Sequence, residues 1–421
     1  MTALPAAAAA DPLVPLSAER ASVPFPTPAP APATVRLGSI DAYRGLVMFL
    51  LLAEQFRTAS VAKALPGSSF WRFLATQQEH VTWTGAVLHD MIQPSFSFLV
   101  GVALPFSIGN RRARGQSPEA TTGHAFLRAL ILVLLGIFLR STGHSQTNFT
   151  FEDTLTQIGL GYGFLYLLAL RSVRVQWIAL VIILVGYWLA FARWPLPGED
   201  FDWVHAGVTP DFAGNATGFA AHWNKNTNLA WAFDRWFLNL FPREKPFLFN
   251  QGGYATLSFI PTLGTMILGL LAGEVIRSPR RDSEKMGWLL MATVICVGLG
   301  WLLGVTGVCP VVKRVWTPSW VLFSGGWCFF TMALFYRLID LSGHRRWAFP
   351  LIVVGMNSIA IYVMDHLFPS FIRDAWRTHA GANTFKLLGP AYEQFLLGTC
   401  MVITLWLLLY AMYRKKIFLR I

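Results

Sequence analysis

Long apolar runs alternate with short polar segments along most of the chain. A membrane-spanning helix needs about 20 mostly apolar residues. Stretches of this kind lie at approximately 43–60, 86–109, 123–140, 156–171, 175–194, 256–276, 286–305, 318–338, 347–366 and 391–413. The pattern predicts an all-α polytopic membrane protein with about ten transmembrane helices.

The first 38 residues do not follow this pattern. They are rich in Ala and Pro, and they lack the basic segment followed by an apolar core that marks a secretory signal. This composition favours a flexible tail. We therefore predict a disordered tail over 1–38 and a membrane domain over 39–421.

The composition excludes the two commonest classes of water-exposed chain. Of the 421 residues, 54% are hydrophobic and only 13% are charged. Soluble domains carry roughly 25% charged residues, and disordered chains are poorer still in apolar ones. A chain with so few charges cannot cover a water-facing surface of this size, so the composition also favours a polytopic membrane protein.

The basic residues indicate an orientation in the membrane. The net charge is +12, but the bases concentrate in every second connection between the apolar stretches. This alternation is typical of the positive-inside rule rather than of nucleic-acid binding, which we do not expect. It predicts that both termini are cytoplasmic. The clusters lie at 111–114, 171–174, 277–285, 345–346 and 414–416. Lys313 and Arg314 are exceptions, because they fall in a connection on the opposite side.

One connection on that opposite side, at about 195–255, is too long for a simple loop. It is rich in Trp, Asn and His, and it contains Asp234 and Arg235. Aromatic faces together with amide and charged groups suit a sugar, which offers C–H bonds on its face and hydroxyls on its edge. A folded cap with an interfacial aromatic belt would have the same composition, so both interpretations stay open.

Several polar residues interrupt the apolar stretches, where charges are costly and often functional. Most of them fall toward the non-cytoplasmic ends of their helices, which predicts a polar pocket open to that side. Helix caps and interhelical hydrogen bonds are the alternatives. The residues are Glu54, Gln55, His89, Asp90, Glu152, Asp153, Thr156, Gln157, Asp365 and His366, with Asn357 and Ser358 deeper in the ninth stretch.

Asp41 and Arg44 stand at the cytoplasmic start of the first stretch, three residues apart. This spacing allows an ion pair, and Arg44 is also placed to bind a phosphate of a cytoplasmic cofactor. No metal site is expected, because the four cysteines form no CxxC pair and no HExxH motif occurs.

Four sequence blocks resemble one known family. His80-Val81-Thr82-Trp83-Thr84-Gly85, followed by Asp90 and Pro94-Ser95-Phe96, resembles the H-x-[ST]-W-x-G-x4-D-x3-P-x-F block of the heparan-α-glucosaminide N-acetyltransferase family. The other blocks are similar to the family's opening, middle and late elements. They are 36–45 (RLGSIDAYRG), 155–159 (LTQIG) and 355–359 (GMNSI), the last followed by Tyr362.

The resemblance implies a transmembrane acetyltransferase. Such an enzyme takes acetyl from cytoplasmic acetyl-CoA and passes it to the amine of a glucosamine-type sugar on the far side. The family's catalytic histidine falls on His80, and its asparagine in the first helix falls on Gln55. Asp90 is expected to orient His80. Arg44, Asn357 and Ser358 are the candidates for holding the cofactor, and interhelical packing is the alternative for Asn357 and Ser358. The candidates for the acceptor sugar are Gln55, Trp83, Gln157, Asp234 and Arg235.

The remaining expectations concern location and partners. The Ala- and Pro-rich tail, and the lack of a counterpart to the animal ectodomain, predict a bacterial inner-membrane protein with 195–255 in the periplasm. The expected partners are membrane lipid and an amino-sugar or glycan acceptor, and the resemblance suggests a homodimer. Two other functions stay open: a transporter for an amino sugar such as N-acetylglucosamine, and an O-acetyltransferase of envelope glycans.

Overall fold

The computed structural model describes residues 37–419, apart from the side chain of Ala382. This part of the chain is helical and contains no β-strand. The α-helices are α1 (Gly38–Leu52), α2 (Thr58–Ala64), α3 (Ser69–Gln78), α4 (Ile92–Ala113), α5 (Pro118–Ser141), α6 (Thr154–Ala169), α7 (Val173–Ala192), α8 (Trp203–Ala206), α9 (Leu229–Phe237), α10 (Phe259–Arg277), α11 (Asp282–Val305), α12 (Pro318–Phe335), α13 (Phe349–Gly355), α14 (Ser358–Leu367), α15 (Pro369–Ala380) and α16 (Glu393–Arg414).

The class of an all-α polytopic membrane protein is confirmed. Within the described residues, eight helical segments are long and apolar enough to cross a membrane, and α13 with α14 forms a ninth if the bent pair is one span. Each of the ten predicted stretches coincides with one of these or with α6. Helix α6 has 16 residues. At about 1.5 Å per residue it extends for roughly 24 Å, less than the thickness of a bilayer core.

The predicted tail at 1–38 lies outside the described residues except for its last two. Gly38 is already the first residue of α1, so the membrane domain begins one residue before the predicted boundary.

Helix α10 forms the centre of the domain, and 83% of its most apolar window is buried. It packs closely against α4 because small residues let the two backbones meet. A Cβ atom at Gly101 would lie 2.0 Å from the carbonyl oxygen of Met266, and one at Gly269 would lie 1.9 Å from that of Phe98. Close approach at glycines is a common way to pack helices in lipid, where there is no hydrophobic drive between apolar surfaces.

Helix α11 is the opposite case, with only 17% of its window buried. Val294 and Trp301 are among its exposed large side chains. This apolar exposure fits contact with lipid tails, for which an exposed apolar surface costs nothing.

The ninth stretch breaks in its middle. Helices α13 and α14 meet at an angle of 77°. Asn357 stands at the break, and its amide satisfies backbone groups of the C-terminal segment: its Nδ2 donates to the Ile417 carbonyl, and its Oδ1 accepts from the Leu419 N–H.

Candidate active site

His80 lies in the loop between α3 and the 3₁₀ turn Leu88–Met91, which leads into α4. Its Nδ1 atom is 2.7 Å from Oδ1 of Asp90, which is 1% exposed. Asp90 also accepts hydrogen bonds from the Val87 backbone N–H and from Lys313. An ionised carboxylate can only accept hydrogen bonds, so Asp90 also accepts from His80. The hydrogen of the imidazole ring is therefore on Nδ1. The Nε2 atom is then left with a free lone pair.

Lys313 comes from the segment between α11 and α12. Its side chain is 6% exposed, and Nζ lies 3.3 Å from Asp90 Oδ1 and 3.4 Å from His80 Nδ1. Burial lowers the pKa of Lys313 to about 8, although the nearby Asp90 carboxylate opposes the shift. At neutral pH the ammonium is therefore mostly present, and it offsets the charge of the buried carboxylate.

The next residue, Arg314, holds three segments together around this group. Its Nη1 donates to the Gly252 carbonyl and its Nη2 donates to the Val81 carbonyl. Both acceptors lie close in sequence to residues of the site, namely Tyr254 and His80. Arg314 thus positions the loop that carries the histidine.

His80 faces a cavity of about 450 Å³. We name it the outer cavity, because its polar lining comes from segments that the charge pattern assigns to the non-cytoplasmic side. Burial raises the pKa of Glu152 and of Tyr254, so both groups favour their uncharged forms more than they would in water. Besides His80, the polar lining includes Glu54, His89, Arg140, Glu152, Tyr254 and Lys313.

A second cavity, of about 570 Å³, opens among residues assigned to the cytoplasmic side. We name it the inner cavity. Arginines dominate its charge, and they suit a ligand with several phosphate groups. Arg128 also donates to the hydroxyl of Tyr162 and stacks over its ring, so it is already oriented. The polar lining includes Arg44, Arg111, Arg114, His124, Arg128 and Ser358.

The two cavities share Phe96 in their linings. Phe96 lies in the second turn of α4, and Arg111 lies near the other end of the same helix. The 15 residues between them correspond to about 22 Å along the helix axis. The inner cavity therefore follows α4 along most of its length and meets the outer cavity at Phe96.

The structure brings together His80 and Asp90 as expected, but it places the expected acceptor residues elsewhere. Trp83 is 2% exposed and donates to the Trp223 carbonyl. Gln157 is 1% exposed, and its amide donates to carbonyls of Phe151 and Thr256. Trp83 joins the 195–255 region to the loop that carries His80, and Gln157 joins the flank of that region to α6. Neither side chain lines the outer cavity.

The other three expected acceptor residues also have different contacts. Gln55 donates to Asp365. Asp234 is buried and accepts from the Thr256 N–H, and burial raises its pKa to about 7. The guanidinium of Arg235 lies over the ring of Trp231. The 195–255 region is thus largely a folded cap with its own aromatic core, and Asn250, Gly252 and Tyr254 are the residues that it contributes to the outer cavity.

Of the expected cofactor residues, Arg44 and Ser358 line the inner cavity. Arg44 also pairs with Asp41 at 3.5 Å, so the two interpretations of this spacing are compatible. Asn357 does not line the cavity. It holds the C-terminal segment, whose Leu419 is part of the cavity wall.

Glu54 and His89 belong to the polar pocket predicted from the sequence, whereas Lys313 and the arginines of α4 and α5 were not predicted as site residues. For Lys313 a signal existed, because it was an exception to the charge rule. A basic residue in a connection that is otherwise poor in basic residues indicates that an acidic partner lies nearby, as Asp90 does here.

The heparan-alpha-glucosaminide N-acetyltransferase of Homo sapiens is 23% identical to the chain over 425 residues, which cover 92% of the chain. The protein of the same name from Mus musculus is 21% identical over 429 residues, again 92% of the chain. The chain spans about 60% of the length of each of these relatives. No family model matches the chain.

Proposed function

Because the chain is similar over 92% of its length to the heparan-alpha-glucosaminide N-acetyltransferases, we propose that this multi-pass membrane protein is an acetyltransferase of that family. It moves acetyl from acetyl-CoA to the amine of a glucosamine-type sugar. One observation carries the proposal: the His80–Asp90–Lys313 group stands at the outer cavity, which adjoins a basic inner cavity at Phe96.

The inner cavity is the proposed site of the acyl donor. Arg111 and Arg114 at its mouth, with Arg44 and Arg128, supply the charge that the phosphates of CoA require. The narrow remainder of CoA, which ends in the thioester, fits a passage that runs about 22 Å along α4. Ser358 and the wall held by Asn357 would complete this site.

The chemistry centres on Nε2 of His80. As the amine nitrogen attacks the thioester carbonyl, its proton passes to Nε2, and the C–S bond breaks with its electron pair on sulfur. Nε2 then returns the proton to the thiolate. Asp90 holds the ring in the required tautomer and Lys313 holds Asp90, so both are positioning residues. A second route uses the same nitrogen as the nucleophile and passes through an acetyl-histidine.

The acceptor sugar would occupy the outer cavity, beside Glu54, Arg140, Glu152 and Tyr254. If the basic inner cavity opens to the cytoplasm, the outer cavity faces the periplasm of a bacterium, and the protein belongs in the inner membrane. Acetyl-CoA and acceptor then approach from opposite sides and need never share a compartment.

The test uses the purified protein in detergent with labelled acetyl-CoA and glucosamine, and compares wild type with His80→Ala. We expect label in N-acetylglucosamine with the wild type and a loss of at least about 10²-fold in the variant, the lower bound for a lost general base. Label retained on the wild-type protein without acceptor would select the acetyl-histidine route.

Two further measurements separate the transporter and O-acetyltransferase alternatives: sugar uptake into vesicles, and acetyl transfer to N-acetylglucosamine. Two cavities that open toward opposite sides would also suit a transporter. Such a protein would move sugar into vesicles without acetyl-CoA and tolerate His80→Ala, and this result would contradict the proposal. An O-acetyltransferase would label N-acetylglucosamine, whose amine is already blocked, as readily as glucosamine.

A further inference from the structure

A second histidine lies beside the first in the outer cavity. The rings of His80 and His89 are 4.5 Å apart between centroids. His89 has its own carboxylate, because its Nε2 atom lies 3.3 Å from Oε1 of Glu54. The site therefore contains two histidine–carboxylate pairs whose carboxylates come from different places, Asp90 at the start of α4 and Glu54 just after α1.

The two carboxylates differ in their access to water. The Asp90 side chain is 1% exposed and that of Glu54 is 50% exposed, whereas the rings of His80 and His89 are 34% and 10% exposed. Glu54 is therefore the carboxylate from which a proton can pass to water through the cavity. The titratable groups around His89 are His80, Asp90, Lys313 and Glu54.

The proposed reaction needs both kinds of proton acceptor. A sugar amine enters from neutral water largely as an ammonium ion, which has no lone pair for attack. It must lose one proton to become a nucleophile and a second when the amide forms. The leaving thiolate takes back only one of the two, so the other must be released to water.

We propose that His89, paired with Glu54, is the base that deprotonates the incoming ammonium, while His80 handles the proton exchanged between amine and thiolate. The inference rests on the proposed function. In the first step an N–H bond of the ammonium breaks, its electron pair stays on nitrogen, and the proton binds the His89 ring. Glu54 stabilises the resulting imidazolium and passes the proton to water. Acetyl transfer at His80 then follows as described above.

The experiment compares two amine acceptors at pH 7 in wild type and His89→Gln. Glucosamine arrives largely protonated, whereas methoxyamine is a weak base that is already neutral. We expect His89→Gln to lower kcat/KM for glucosamine by up to about tenfold at pH 7, because the variant can use only the neutral fraction of an amine whose pKa is about 8. For methoxyamine the loss should be markedly smaller than for glucosamine, because no ammonium has to be deprotonated there.

Two further variants serve as controls. Glu54→Gln should show the same dependence on the acceptor with a smaller loss, and it carries the test if His89→Gln does not fold. His205→Gln removes a histidine that pairs with Asp202 at 2.5 Å outside both cavities, and it should match wild type on both acceptors.

An equal loss on the two acceptors, or no loss on glucosamine, would overturn the role of His89 and leave the acetyltransferase proposal intact. Failure of the wild type to acetylate either amine would overturn the acetyltransferase proposal and this inference with it.

Discussion

The two cavities contrast in how their charges are arranged. In the outer cavity the titratable groups bind one another: His80 and Lys313 contact Asp90, and His89 contacts Glu54. In the inner cavity the charge is overwhelmingly of one sign, with arginines from α1, α4 and α5.

The difference separates two tasks. A group that moves protons needs a partner to set its tautomer and charge, so reactive side chains occur in mutually balanced sets. A site that binds a polyanion needs an excess of cations that the ligand itself neutralises. The outer cavity therefore has the organisation of a reaction site, and the inner cavity that of a binding site. Each of the following predictions tests this division.

The largest effect is expected from Asp90→Asn. An amide can donate to His80 Nδ1 and so favour the tautomer whose hydrogen is on Nε2, which removes the base from the reacting face. We expect kcat to fall by about 10²–10⁴-fold. Binding of labelled CoA, measured by filter or equilibrium dialysis, should be unchanged, and a matching loss of binding would mean that the two cavities do not act separately.

Lys313→Met should have the next largest effect, a fall in kcat of about ten- to hundredfold, as for the loss of one charged hydrogen bond. The pH profile is the specific readout. Because burial lowers the pKa of Lys313 to about 8, the wild-type ammonium is present below that pH and is lost as pH rises through it. Wild-type activity should therefore decline as pH rises above about 8. If Lys313→Met shows the same decline, another group causes it.

In the inner cavity, Arg111→Gln should raise the KM for acetyl-CoA by about tenfold and leave kcat nearly unchanged, because the residue contributes to binding alone. Arg112 is the matched control, since it neighbours Arg111 in α4 but does not line the cavity. Arg112→Gln should behave as wild type in the same steady-state assay. Equal effects of the two substitutions would indicate general surface charge rather than a defined site.

The smallest effect is expected at Phe96, which belongs to both linings. Phe96→Ala widens the junction and should let water reach the thioester, so that acetyl-CoA hydrolysis without acceptor rises severalfold. Thiol release with a chromogenic reagent measures it. Unchanged hydrolysis would argue that the cavities are not connected at this residue.

The apolar pattern predicted the helical membrane class, and the structure confirms it because lipid imposes one requirement on every segment: each backbone polar group must be bonded within the helix. The pairing of His80 with Asp90 was accessible too, since the residues lie ten positions apart in one block. The acceptor residues were not. Trp83, Gln157 and Asp234 have side chains that suit a sugar equally well whether they face a cavity or a backbone carbonyl.

The features that depend on neighbours along the chain were therefore predictable from the sequence: the apolar spans, their alternating basic connections and the local block around His80. Which distant groups meet depends on the tertiary structure. Lys313 lies 223 residues from Asp90, and Glu54 reaches His89 from a different helix. A buried charge requires a partner, but composition and periodicity do not say which one, because that choice depends on how α1, α4 and the segment before α12 pack together.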